Sequence, residues 1–211
     1  MPADCVGTLI IGLDTLNVAI ANCAPAPAGE GVLQTGQTQC DDGGFVWGAC
    51  PGNPAGQDGE LQKGTARSYT DNGQTITDNA TGLEWEKLCF GAVNPGCPVI
   101  NDVNTEFTWA QAFQKIADLN AANFAGHNDW RLPNVNELQT LVNYDNYDSA
   151  VDSAFMNGTN SFTRSQAYWT STTYLATSFL AWVVHFGSGA VRQGEKTEGG
   201  FHFVRAVRGG S

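Results

Sequence analysis

The run Asp129-Trp130-Arg131-Leu132-Pro133-Asn134-Val135-Asn136-Glu137-Leu138 restricts the fold more than any other stretch of the chain. Pro133 cannot donate a backbone hydrogen bond and biases the residue before it toward extended geometry. Asn134 is a helix-capping residue type, and Glu137 follows it at capping-box spacing. A strand must therefore end here, turn a proline-locked corner and enter a helix.

The surrounding pattern has the same mixed character. Ser68–Thr70 and Gln74–Asp78 flank Asp71-Asn72-Gly73, a strong hairpin signal, and Leu83–Lys87 reads as a further strand. Thr108 and Gln111 form a second capping box. Behind it Trp109, Ala112, Phe113, Ile116, Leu119 and Asn120 share one face at helical spacing. The second helix is expected from about Val135 to Val142. Strands are expected again at Tyr168–Thr172, Ala181–Phe186, Gly189–Gln193 and Phe201–Arg208, with Gly187-Ser188-Gly189 joining two of them. Early and late strands around two helices make an α+β domain. Residues 1–33, ending in the linker-like Ala24-Pro25-Ala26-Pro27-Ala28-Gly29, form an N-terminal extension, and residues 34–211 form the domain.

Composition narrows the partners. A formal net charge of −11 repels nucleic acid and anionic membranes, because no basic stripe is available to replace phosphate counterions. No apolar run reaches membrane-spanning length. Cys5, Cys23, Cys40, Cys50, Cys89 and Cys97 are an even set without metal-ligand spacing. Bridges 5–23, 40–50 and 89–97 are the simplest connectivity, and they imply an extracytoplasmic, secreted or cell-surface location. Trp85, Trp109, Trp130 and Trp169 are read as core anchors, each with an indole N–H that needs a partner. Arg131, Glu137 and Arg205 are candidates for a buried ion-pair network tying helix to sheet.

The Trp130-Arg131-Leu132-Pro133…Glu137-Leu138 motif resembles the centre of the C-terminal domain of the Legionella collagen-like adhesin. The likeness extends over roughly residues 34–210. Gly56–Gly64 and Thr77–Trp85 resemble the family's entry segment, and Thr108–Ala112 its first helix start. Tyr168–Thr172 and Phe203–Arg208 resemble later strands of it. The resemblance implies a C-type lectin-like fold with a mixed, mainly antiparallel sheet, association into homo-oligomers, and an adhesin or receptor role. A shorter likeness to formylglycine-generating enzymes stops at the fold motif. Those enzymes use cysteines late in the chain, whereas the last cysteine here is Cys97. The Arg205–Ser211 end also resembles variable proteins diversified by retroelements.

No nucleophile elbow, phosphate loop or zinc-protease motif is present, so no catalytic residue is assigned. No cofactor is expected. Calcium is the one ion for which ligands exist, at Asp71, Asn72 and Asp78 or at Asp145, Asn146, Asp148 and Asp152, although such residues are common in turns for backbone reasons alone. The expected ligand-facing surface is C-terminal and comprises Tyr174, Leu175, Thr177, Ser178, Phe179, His185, Ser188, Arg192, Gln193, Glu195, Thr197, Glu198, Phe201 and His202. Rigid rings there supply contact area while small polar groups adapt. The expected partner is a protein or a glycan, with a calcium-assisted lectin as the narrower alternative.

Overall fold

The computed structural model describes residues 6–11, 14–19, 31–52, 54–90, 99–156, 161–197 and 200–210, with backbone alone for residues 6–19 and Val99. Contacts separate residues 1–30 from residues 31–211. In the first unit, β1 (Val6–Ile11) and β2 (Asp14–Ala19) pair antiparallel, Val6 opposite Ala19 and Ile11 opposite Asp14. Cys5 and Cys23 lie outside the described residues.

The second unit opens with two short strands, β3 (Cys40–Asp41) and β4 (Trp47–Gly48), closed by the Cys40–Cys50 disulfide. Cys89 is also disulfide-bonded, and Cys97, with which it was expected to pair, lies outside the described residues. A one-turn helix that the pattern did not announce, α1, covers Asp58–Leu61. Next come β5 (Tyr69–Asp71), β6 (Thr75–Asp78) and β7 (Leu83–Glu86). Both capping-box helices follow, α2 (Trp109–Ala121) and α3 (Val135–Gln139), and then β8 (Ala167–Thr173), β9 (Leu180–His185), β10 (Ala190–Glu195) and β11 (Val207–Gly209). The fold is α+β, and every strand pair within its sheets is antiparallel.

Local chemistry explains both helix starts. Thr108 Oγ1 accepts from Gln111 N–H at 3.3 Å while Gln111 Oε1 accepts from Thr108 N–H at 2.9 Å. At α3, Asn134 and Glu137 exchange the same pair of bonds at 2.9 and 2.8 Å. Each box satisfies two donors that would otherwise be orphaned, and loss of such a cap costs about 1 kcal/mol. Glu137 also receives both guanidinium nitrogens of Arg131 at 2.7 Å, so one carboxylate fixes the corner and the helix together.

Two sheets organise the core. One runs β11-β7-β6-β5 and the other β10-β9-β8. In the three-stranded sheet β8 and β9 are covered on both faces, while β10 is largely exposed. Tyr168 and Val184 point into a cluster with Leu138 and Leu141 of the α3 segment and with Ile76 and Trp85 of the other sheet. Trp169, Ala181 and Val183 point the opposite way, against Ala112, Ile116 and Leu119 of α2. Phe201–Arg208 is not the single strand that its alternation suggests. His202 and Phe203 bridge Phe107 and Tyr168, after which the chain crosses to pair Val207 with Trp85. Arg205 lies at this crossing and is fully buried.

The single network expected of Arg131, Glu137 and Arg205 is two separate ones. Arg205 donates to the carbonyls of Glu86 at 2.7 Å and Phe162 at 2.6 Å and to Thr163 Oγ1 at 2.9 Å, and its guanidinium stands 5.2 Å from the centre of the Phe155 ring. It serves backbone acceptors exposed by the crossing, not the carboxylate at the corner. The buried ion pair is instead Lys115–Glu86 at 2.8 Å, which pattern reading missed. Glu86 also accepts from Asn101 Nδ2 at 2.7 Å and from Ala206 N–H at 2.8 Å.

Of the four expected anchors, Trp85, Trp130 and Trp169 are buried and Trp109 is half-buried. Trp109, Trp130 and Trp169 donate to the carbonyls of Thr170, Phe124 and Phe107. The Trp85 indole N–H is buried and has no partner among the described residues.

Surface charge makes stability pH-dependent. A hydrogen bond from Lys87 holds the Asp71 carboxyl below its ordinary range, and one from Arg208 does the same for Asp129. Partial burial works against ionisation of Glu84, but hydrogen bonds from Thr75 and Arg208 outweigh it and lower that pKa as well. The folded chain thus binds these protons less tightly than the unfolded chain. Their stabilisation is present at neutral pH and is lost as pH falls through the depressed pKa values, below about 4. Arg208→Gln should lower the melting temperature at neutral pH, and its curve should converge on that of the parent in acid. A constant offset across a pH-dependent melting series would refute the assignment.

Candidate functional site

The β8–β9 connection gathers the first five of the expected ligand-facing residues. Tyr174 N–H donates to Leu180 O at 3.0 Å, Thr177 N–H to Tyr174 O at 3.2 Å and Leu180 N–H to Thr177 O at 3.0 Å, so the loop is an ordered turn. Leu175 is 98% exposed and Phe179 55%, while Ser178 is exposed and Tyr174 and Thr177 are half-buried. The Tyr174 ring meets the Trp182 ring edge-on, with centroids 5.2 Å apart. Glu195 pairs with Leu180, and Lys196 N–H donates to Phe179 O at 2.9 Å, which brings exposed Glu195 and Thr197 to the same end of the sheet.

Three residues at that end were not foreseen as site residues. Lys196 Nζ lies 4.0 Å from the centre of the Trp109 ring and donates to Thr173 Oγ1 at 2.7 Å. Trp109 in turn packs edge-on to Phe113 at 4.7 Å. The apolar stripe of α2, which Trp109 begins, predicts a core position for it. Its position at the first turn leaves one side toward solvent. Trp182 alternates with buried neighbours, which is the signal that could have found it.

The remaining expected residues disperse. Arg192 stands opposite Val183, on the face toward α2, whereas Gln193 stands opposite Trp182 on the other face; both are exposed. His185 and Ser188 occupy the far end of β9, at the turn into β10. His185 Nδ1 accepts from Gly187 N–H at 3.2 Å and lies 3.4 Å from Ser188 Oγ. That nitrogen is already engaged by the backbone, so it is poorly placed to take the serine proton. Phe201 is 47% exposed. Glu198 lies outside the described residues.

His202 belongs to the interior edge. Its ring packs on Trp169 with centroids 4.5 Å apart, and burial, reinforced by the charge of His185, pushes its pKa below 6.5. Gly194 on β10 makes room for both rings. A Cβ there would lie 2.6 Å from His202 Nε2 and 2.9 Å from Trp169 Cζ3.

Of the five carboxylates considered for calcium, all but Asp148 have protein partners among the described residues. Asp71 takes the Lys87 ammonium at 2.6 Å, Asp78 caps the turn at Ala80 N–H, Asp145 accepts twice from Thr38, and Asp152 caps Ala154 N–H. Among the described residues, no three His, Cys, Asp or Glu side chains are grouped to hold a metal ion. No helix among them is long and apolar enough to cross a membrane.

An ordered turn that exposes Leu175 and Phe179 is carried on β8 and β9, whose buried side chains join the core on both faces. Residues 74–208 match the family model described as the Lcl C-terminal domain, and the chain belongs to that family, which suggests an adhesin-like module. No curated protein matches the chain.

Proposed function

We propose that this chain is a non-catalytic, extracytoplasmic recognition module that binds a protein or glycan through the end of its three-stranded sheet. The observation that carries the reading is the pair Leu175 and Phe179, 98% and 55% exposed on a turn held by backbone hydrogen bonds from Tyr174, Thr177 and Leu180. Large apolar groups held rigidly in water have little to offer the fold and much to offer a partner. Tyr174, Trp182 and the Lys196–Trp109 pair add amphipathic contact area beside them.

The Cys40–Cys50 disulfide and the adhesin-like family both fit a location outside the reducing cytosol. We take the architecture as C-type lectin-like. On such a scaffold the exposed positions Leu175, Ser178, Phe179, Arg192, Gln193, Glu195 and Thr197 could vary with little effect on the core. Retroelement diversification of this surface is the finer form of the proposal. Its test is the adjacent genome, which should hold a reverse transcriptase and a near-copy of the segment encoding these residues.

The binding test uses beads coated with the full chain and cultured cells as the target. Leu175→Ser with Phe179→Ser should abolish attachment and leave the melting temperature nearly unchanged, since surface substitutions away from structural features stay within about 0.5 kcal/mol. Undiminished attachment would remove the hairpin from the binding surface. A large fall in melting temperature would return both side chains to the core.

A further inference from the structure

A second concave site lies away from that hairpin. A cavity of about 420 Å3 opens between the disulfide-closed loop and the loop following α3, and Ser188 of the β9–β10 turn contributes to it. Its walls carry three exposed rings, Tyr147 at 86%, Trp47 at 61% and Tyr144 at 43%. Beside Trp47, Phe45 is held at φ 64°, a left-handed conformation that is costly for a bulky residue. The loop keeps its aromatic tip outward against both backbone strain and hydration.

The groove is preorganised. Asp145 Oδ1 accepts from Thr38 N–H at 2.9 Å and Oδ2 from Thr38 Oγ1 at 2.7 Å, while Tyr144 N–H donates to Thr35 O at 2.9 Å. These bonds tie residues 35–38 to residues 144–145, so the two walls are joined. Also lining the groove, the side-chain amides of Gln37 and Gln39 make no hydrogen bond among the described residues. Asn146 donates to Val151 O at 2.8 Å, which leaves its amide oxygen as an acceptor. Each Asp145 oxygen also keeps a second acceptor site.

We infer that this groove binds a neutral saccharide. A pyranose presents an apolar C–H face that stacks on aromatic rings, and an equatorial rim of hydroxyls that both donate and accept. Unpaired amides of Gln37 and Gln39 supply both functions, and Asn146 and Asp145 supply acceptors. A cavity of this size is within the range of small-ligand sites. Among the described residues no basic side chain lines it, Asp145 does, and the chain carries −11, so a sulfated or carboxylated sugar is repelled. An aromatic groove can also take a proline-rich segment. Proline lacks an N–H, however, and would leave the Asp145 and Asn146 acceptors facing a ligand without donors.

The test titrates the full chain with mannotriose, cellotriose, chitotriose and lactose, with heparin and a decaproline peptide as rivals, and reads tryptophan fluorescence and calorimetry. At least one neutral sugar should bind. Trp47→Ala and Tyr147→Ala should each weaken it by about tenfold, the scale of one lost ring contact, without changing the melting temperature. Leu175→Ser with Phe179→Ser should leave it unchanged, which separates this site from the hairpin surface. The inference is overturned if none of the neutral sugars binds at millimolar concentration, if heparin or decaproline binds in their place, or if binding survives both ring substitutions.

Discussion

Glu86→Gln should destabilise the chain by about 3–5 kcal/mol in urea unfolding at neutral pH, far more than its small change in shape suggests. The side chain is fully buried and accepts from Lys115, Asn101 and Ala206. Removing its charge leaves the Lys115 ammonium, 2% exposed, without a counter-ion, and places an amide donor where only acceptors are useful. The accompanying pH effect has a definite sign. Burial pulls the Lys115 pKa below 10.5, and Glu86 pulls it back up. Without Glu86 the lowering deepens, so the unfolded state binds the proton more tightly and stability rises with pH as Lys115 discharges. The deficit of the variant should therefore shrink as pH rises from neutrality toward the ordinary lysine pKa. Adding Lys115→Met should recover part of the loss at neutral pH. A deficit under about 1 kcal/mol, or one that does not change with pH, would show that the pair is not sealed from water.

Trp169→Ala should cost about 3–5 kcal/mol, which for a chain of this length lowers the melting temperature by on the order of 10 °C. The ring is fully buried, donates to Phe107 O at 2.7 Å and fills the space left by Gly194. Its removal takes one of two donors from that carbonyl, which keeps His202 N–H at 3.0 Å, and opens a cavity between α2 and the three-stranded sheet. It also uncovers His202, whose pKa is depressed chiefly by burial, so an NMR titration of that imidazole should move back toward 6.5. Attachment through the hairpin should weaken as well, because Trp169 fixes the strand that leads into Tyr174. If stability fell while the His202 titration stayed put, the account of that histidine would be wrong.

What could be read without coordinates was what short-range chemistry decides. Both capping boxes, the Asp-Asn-Gly hairpin and the Gly187-Ser188-Gly189 turn depend on residues within a few positions of one another, and each appears where the pattern placed it. The Phe201–Arg208 crossing could not be read, since alternation marks an extended chain and does not say which sheet it joins. Lys115 carried a usable signal: it lies on the inward stripe with Ala112 and Leu119, where a charge demands a partner. That the partner is Glu86 required the tertiary structure. The expected recognition surface mixed positions that the register sends to opposite faces and opposite ends of β9. The groove at Trp47 and Tyr147 went unread because its walls come from segments about a hundred residues apart.

Among the described residues, no strand pairs with the outer side of β10. An open row of amides and carbonyls of this kind invites end-to-end polymerisation of folded copies. Arg192 and Glu195 place opposite charges along that row, and Gly194 between them supplies no side chain for an incoming strand to pack on. The same small residue that admits two rings from within thus leaves that edge with little for a second copy to grip.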